Sequence, residues 1–150
     1  MNLLRLFFSF RGRVNRAGFW IVSITWLVVS VVLTINWPGA GVSAILLGGH
    51  EPVALAGVVI AIPVLVSSVA VCVRRLHDRD KSAWWLVLYV LCPPIFEVIA
   101  AVPSLDSALA VGLMVLSIAI GLWTFIDLGC IPGTAGPNRY GPDPLAGAAA

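Results

Sequence analysis

The sequence predicts an all-α integral membrane protein. It has four transmembrane helices, both termini inside, a short interfacial N-terminal helix and a Pro/Gly-rich cytoplasmic tail. Three observations lead there. Of the 150 residues, 60% are apolar and 11% charged, with mean hydropathy +1.02. A soluble domain carries about 25% charged residues, so this chain has too little polar surface to cover a globule. Four segments reach the roughly 20 apolar residues a helix needs to cross a bilayer, and none contains Lys or Arg. Finally, all nine cations fall in the stretches that would share one side of the membrane.

Residues 1–17 open with MNLLRLFFSF, which mixes Leu and Phe with Arg5 and contains no acid. The run is too short to cross and suits a helix lying in the interface, with its apolar face among the acyl chains. The spans follow at about 18–36, 53–73, 83–102 and 108–126, leaving a tail over 127–150. In hydrocarbon the backbone must satisfy its own hydrogen bonds, which makes each span a helix. Pro63 and the pair Pro93-Pro94 fall near mid-span; each removes an amide donor and kinks its helix.

Orientation comes from the cations. Arg5, Arg11, Arg13 and Arg16 precede the first span, Arg74, Arg75, Arg79 and Lys81 lie between the second and third, and Arg139 is in the tail. The connections 37–52 and 103–107 have none. Flanking cations stay cytoplasmic, so the chain is expected to be a multi-pass protein with both ends in the cytoplasm. A cleaved secretory signal ending near Val42-Ser43-Ala44 is the competing reading. The first apolar stretch, however, exceeds the 7–15 residues of a signal core. Trp20, Trp84 and Trp85 mark inner ends and Trp37 an outer end, as amphipathic rings prefer headgroup depth. Trp26 and Trp123 fit packing or lipid contacts instead.

In the tail, IPGTAGPNRYGPDP (131–144) alternates prolines with glycines. Missing donors and permissive backbone forbid a helix there, leaving a turn-rich arm that is either ordered or flexible. The last six residues, LAGAAA, read as a frayed end. Cys72, Cys92 and Cys130 form no CxxC spacing and read as apolar filler. His50-Glu51 lacks the second His of an HExxH metal site, and no Walker loop, dinucleotide fingerprint or nucleophile elbow occurs. Gly112 and Gly121 suit helix packing. Neither a metal nor a cofactor is expected. Nucleic acid is not an expected partner either, because the cations fall in short clusters rather than on one broad face.

Three segments together carry a family resemblance: FSFRGRVNRAGFW (8–20), RRLHDRDKSAWW (74–85) and PGTAGPNRYGPDP (132–144). In this order and over nearly the whole chain, they resemble the domain-of-unknown-function 805 family of small bacterial inner-membrane proteins. The resemblance implies a polytopic inner-membrane protein and supplies no mechanism. The family pattern places a small or glycine-containing turn before the tryptophans, of the GRSGWW type; here Asp80-Lys81-Ser82-Ala83 stands in that place.

RRLHDRDKS (74–82) concentrates the chemistry. Arg74 and Arg75 complement the negative end of the second helix, and Asp80 or Ser82 can cap the third. His77-Asp78 could in principle orient an imidazole for general-base work. Adjacent residues in a tight hairpin rarely achieve that geometry, and no catalytic residue is assigned. The preferred reading is a clasp in which Asp143 or Asp127 pairs with one or more of Arg11, Arg13, Arg74 and Arg75, with Tyr140 against the interface and Arg139 nearby. A sharper reading has the remaining cations bind anionic headgroups, at about 1 kcal/mol each. Glu97 is the one ionisable residue within a span, which makes it a suspect by default. It is placed in the outward half of the third helix.

The favoured function is therefore a non-enzymatic component whose cytoplasmic face binds membrane lipid, anionic phospholipid in particular, or a partner, either a second copy or another membrane protein. The alternatives are a small oligomeric transporter using Glu97 and proline-kinked helices, and a membrane-bound enzyme acting on headgroups.

Overall fold

The computed structural model describes residues 3–36 and 52–146, with side chains described from residue 59 in the second stretch. The expectations for Trp37, Val42-Ser43-Ala44, His50-Glu51 and the final residues 147–150 lie outside the described residues. The described chain is helical, with one isolated β-bridge between Asn138 and Gly141. It divides into two compact units, of residues 3–10, 17–36 and 52–71, and of residues 11–16 and 72–146.

In the first unit, α1 (Leu3–Phe8) buries Leu6 and exposes Leu3 and Leu4. Phe7 meets Trp26 edge to face at 5.8 Å. Helix α2 (Arg16–Asn36) buries Val22 while Leu27, Val31 and Ile35 stay exposed. A soluble protein hides such residues; a row of them along one helix marks a surface made for lipid. Trp26 packs inward, and its Nε1 donates to Ser67 Oγ at 2.9 Å.

Helix α3 (Pro52–Asp78) opens on proline, whose missing amide costs nothing at a helix start, and carries Pro63 inside. Its end is a Schellman turn. The Lys81 amide reaches the Leu76 carbonyl at 2.9 Å and the Asp80 amide the His77 carbonyl at 3.0 Å. Asp80 takes φ 54°, the left-handed position usually given to glycine. The residue standing where the family pattern has its small turn thus makes a glycine-like turn with an aspartate, a residue that tolerates this region better than most.

The second unit holds the rest of the chain. Helix α4 (Val87–Ala100) begins with a π turn over Val87–Leu91 and continues as α-helix over Cys92–Ala100. The Cys92 amide reaches back five residues to the Val87 carbonyl. Pro93 and Pro94 cannot donate, and their rings crowd the preceding turn, so the helix widens just ahead of them. Helix α4 is shorter than the span expected at 83–102. Ala83 and Trp84 form a turn in front of it, with Ser82 Oγ accepting from the Trp84 amide at 3.4 Å. Its residues 87–100 rise about 21 Å at 1.5 Å each, against a hydrocarbon core of about 30 Å. Among the described residues, three helices are long and apolar enough to cross a membrane: Arg16–Asn36, Val59–Asp78 and Ser107–Cys130.

Helix α5 (Ser107–Cys130) starts at Asp106, whose Oδ1 accepts from the Ala108 and Leu109 amides at 3.0 and 3.1 Å. It runs four residues past the expected end at 126, because its last turn, Phe125–Cys130, is again a π turn. Along the α4–α5 hairpin, Ser117 Oγ donates to Glu97 Oε1 at 3.0 Å. Ser117 lies ten residues into α5, about 15 Å of rise from its start. Glu97 therefore sits level with the middle of a membrane-length helix, deeper than its distance from the end of α4 suggests.

Candidate functional site

The second unit has an unusual core. Beside Val14, Val73, Leu76, Tyr89 and Leu128 it buries Arg74, Arg75, Asp78 and Asp127. Charges excluded from water need partners, since an unpaired one costs several kcal/mol. Here the partners come from three separate stretches.

Asp78, at the last residue of α3, is 2% exposed. One of its oxygens accepts from Arg13 Nε at 3.0 Å and the other from Arg75 Nη1. Both guanidinium groups then reach into the tail. Arg13 donates to the carbonyls of Thr134 and Gly136. Arg75, 0% exposed, donates to the carbonyls of Leu128 at 2.7 Å and Ile131. Arg16 donates to the Cys130 carbonyl at 3.1 Å and Arg79 to the Pro132 carbonyl at 3.4 Å. The last carbonyls of a helix have no internal donors and carry its negative end. In α5 and the residues after it, arginines from elsewhere supply those donors.

The tail also docks through its own side chains. The Thr134 amide donates to the Asp78 carbonyl at 2.8 Å, and Asn138 Nδ2 to the His77 carbonyl at 2.9 Å. Tyr140 stacks flat on His77, with centroids 3.8 Å apart at 6°, and the Arg139 guanidinium lies 4.8 Å from the Tyr140 ring centroid. Arg139 also pairs with Asp80 at 3.1 Å, in the open. Gly133 fits against the Asp78 carboxylate so closely that a Cβ would overlap it.

A second acid centre adjoins the first. Asp127, on the π turn and 0% exposed, receives Arg79 at 3.2 Å and Lys81 at 2.7 Å. Tyr89 donates to Asp127 at 2.9 Å and accepts from Trp123 Nε1 at 3.0 Å. The two π turns carry Tyr89 and Asp127 respectively, and so bring the hairpin's buried polar groups to one place.

The pairing differs from the expected one. Arg13 and Arg75 meet Asp78 rather than Asp143 or Asp127, and Asp127 meets Arg79 and Lys81. Asp143 stays local: its oxygens accept the amides of Leu145 and Gly136, which hold its carboxyl below the usual carboxylate range. Tyr140 lies on His77. Arg74 is buried, its carbonyl accepting from the Val14 amide at 3.3 Å, while Arg11 is exposed. Glu97 stands apart from the cluster. His77, with its ring stacked on Tyr140, has the geometry of a docking residue. Thr134, Asn138, Gly133, Lys81, Tyr89 and Trp123 were not candidates from sequence. The signal for the first three was the tail motif itself, in which they recur among prolines and glycines with no other reason to be polar or small.

Gly133→Ala supplies a test of this packing. Asp78 cannot yield, being held by two guanidinium groups, so the tail must move; a loss of about 1–3 kcal/mol is expected in detergent unfolding titrations. Gly112→Ala, where a Cβ meets open space, should be neutral or slightly stabilising in its helix.

Comparison with known proteins agrees with the resemblance of the three segments. The family model described as Protein of unknown function (DUF805) matches residues 7–142. Inner membrane protein YhaH of Escherichia coli (strain K12) is 29% identical over 149 residues, covering 96% of this chain and 93% of the relative. Uncharacterized protein YiiR of the same strain is 32% identical over 143 residues, covering 95% and 90%. Inner membrane protein YhaI is 27% identical over 149 residues, covering 98% and 95%. No solved structure matches.

Proposed function

Because the chain belongs to the family described as Protein of unknown function (DUF805), with relatives named inner membrane proteins, we propose a role in the inner membrane. The protein is a four-span, non-enzymatic component with both ends in the cytoplasm, and its inner face associates with anionic phospholipid. One observation carries the topology. Arg13 before α2, Asp78 at the end of α3 and Thr134–Gly136 after α5 are bonded into one cluster. Residues that touch lie on one side of the membrane, so the chain crosses an even number of times between each pair. Helices α3 and α5 both end at the cluster, and only α4 is available to return the chain between them. A 21 Å helix crosses with modest local thinning and with Trp84 and Trp85 at its rim. The positive-inside rule places this side in the cytoplasm.

Exposure of the N-terminal cations supports the lipid association. Arg13 and Arg75 are held by Asp78 and tail carbonyls, so they are not the headgroup contacts expected from sequence. Arg5 and Arg11 are exposed, next to exposed Leu3, Leu4, Phe8 and Phe10, an arrangement that seats a basic segment on an anionic surface. At about 1 kcal/mol per cation, the double change Arg5→Gln/Arg11→Gln should weaken retention of phosphatidylglycerol roughly 30-fold. Native mass spectrometry of the purified protein checks this. Unchanged retention would sink the reading.

A further inference from the structure

Between the 11–16 segment, the end of α3 and the tail lies a cavity of about 170 Å³, room for five or six waters at about 30 Å³ each. Three guanidinium groups (Arg13, Arg16, Arg75) and two carboxylates (Asp78, Asp143) line it. They are not equally engaged. Asp78 and tail carbonyls occupy Arg13 and Arg75. Among the described residues, Arg16 makes a single hydrogen bond, to the Cys130 carbonyl, and no ion pair. Asp143 accepts the amides of Gly136 and Leu145 and, among the described residues, forms no ion pair.

The cavity thus offers one planar cation and one carboxylate, each without a counter-charge, in a lining with an excess of one positive charge. A simple anion would meet Asp143, and a simple cation would meet three guanidinium groups. A phosphate bearing an ammonium a few bonds away satisfies both. Depth agrees: Arg16 is the first residue of α2 and Cys130 the last of α5, and the ends of membrane-length helices lie at headgroup level.

We propose that this cavity binds a phosphoethanolamine group, its phosphate on the fork of Arg16 and its ammonium on Asp143. Arg presents parallel donors that match phosphate oxygens, and a carboxylate is the matching acceptor for an ammonium. The group arrives either as the headgroup of phosphatidylethanolamine or as a soluble phosphodiester. This goes beyond the surface association proposed above and does not depend on it, since Arg5 and Arg11 take no part.

Full-length protein, stripped of lipid in detergent, would be titrated with glycerophosphoethanolamine and with inorganic phosphate. In parallel it would be reconstituted in nanodiscs holding equal phosphatidylethanolamine and phosphatidylglycerol, and the lipid retained after extraction measured by native mass spectrometry. The proposal expects retention of phosphatidylethanolamine over phosphatidylglycerol, at least tenfold loss in Arg16→Gln, and loss of that preference in Asp143→Asn. Binding of glycerophosphoethanolamine as well would point to a soluble source; retention of the lipid alone would point to the membrane. Both outcomes support the site. No preference in the wild type, or inorganic phosphate binding as tightly as glycerophosphoethanolamine, overturns it whatever the variants do. So does Asp143→Asn that keeps wild-type preference with an unchanged unfolding midpoint.

Discussion

Asp78→Asn is expected to lower the stability of the protein by about 3–5 kcal/mol, the cost of removing one member of a buried ion pair and leaving the other charged. Asp78 is the acid that both Arg13 and Arg75 touch, and the side chains of all three are at most 3% exposed. An amide of the same shape still accepts at one oxygen, but its nitrogen would face a guanidinium that donates and cannot accept. Neither arginine is free to turn toward water, since each is also tied to tail carbonyls. Asp80→Asn makes the control. Its pair with Arg139 is 47% and 60% exposed at the side chains, and such pairs contribute about 0–1 kcal/mol. Guanidinium titrations of both variants in detergent compare the two directly. Equal effects would mean that the Asp78 cluster is solvated, and the clasp would lose its energetic basis.

Arg75→Lys should cost about 2–5 kcal/mol although it keeps the charge. Arg75 donates from three different nitrogens: Nε to Leu128, Nη1 to Asp78 and Nη2 to Ile131. A lysine has one nitrogen at the end of a flexible chain and cannot reach three acceptors set around a plane. At least two buried acceptors lose a donor, at about 1–3 kcal/mol each. The consequence is local: the end of α5 loses the groups that satisfy its last carbonyls, and the tail loosens. Trypsin reports this, because Arg139 is the one basic residue after Lys81 and is protected only while the tail is docked. Faster cleavage after Arg139 is expected in Arg75→Lys than in the wild type. Unaltered cleavage would show that the tail is held by Thr134, Asn138 and Tyr140 without the arginine.

The sequence settled whatever depends on composition and linear pattern. Apolar runs free of Lys and Arg predicted helices of membrane length, because hydrocarbon leaves the backbone no partner but itself. Three of them were legible directly, and the N-terminal arginines, the 74–82 turn and the tail were legible as three special segments. Helix α4 (Val87–Ala100) is shorter than the span that hydropathy predicts at 83–102. Hydropathy does not register that Pro93 and Pro94 lack donors, and the π turn and short α4 follow from that. Its consequence for Glu97 was hidden too, since depth is set by the pairing with Ser117 across the hairpin.

Pairing itself was beyond reach of the sequence. Nine cations and seven acids allow many ion pairs, and linear order favoured the acids of the tail, Asp127 and Asp143. Tertiary structure chose Asp78 for Arg13 and Arg75, because the end of α3 lies between the N-terminal segment and the tail. Asp143 instead closes its own turn. The physical reason is general. Burial in a bilayer is a property of each segment and can be read from it, whereas which charge neutralises which depends on where three distant segments meet. RRLHDRDKS is accordingly an anchor whose cations are mostly turned inward, and Arg16, which sequence did not single out, is the cation left facing the cavity.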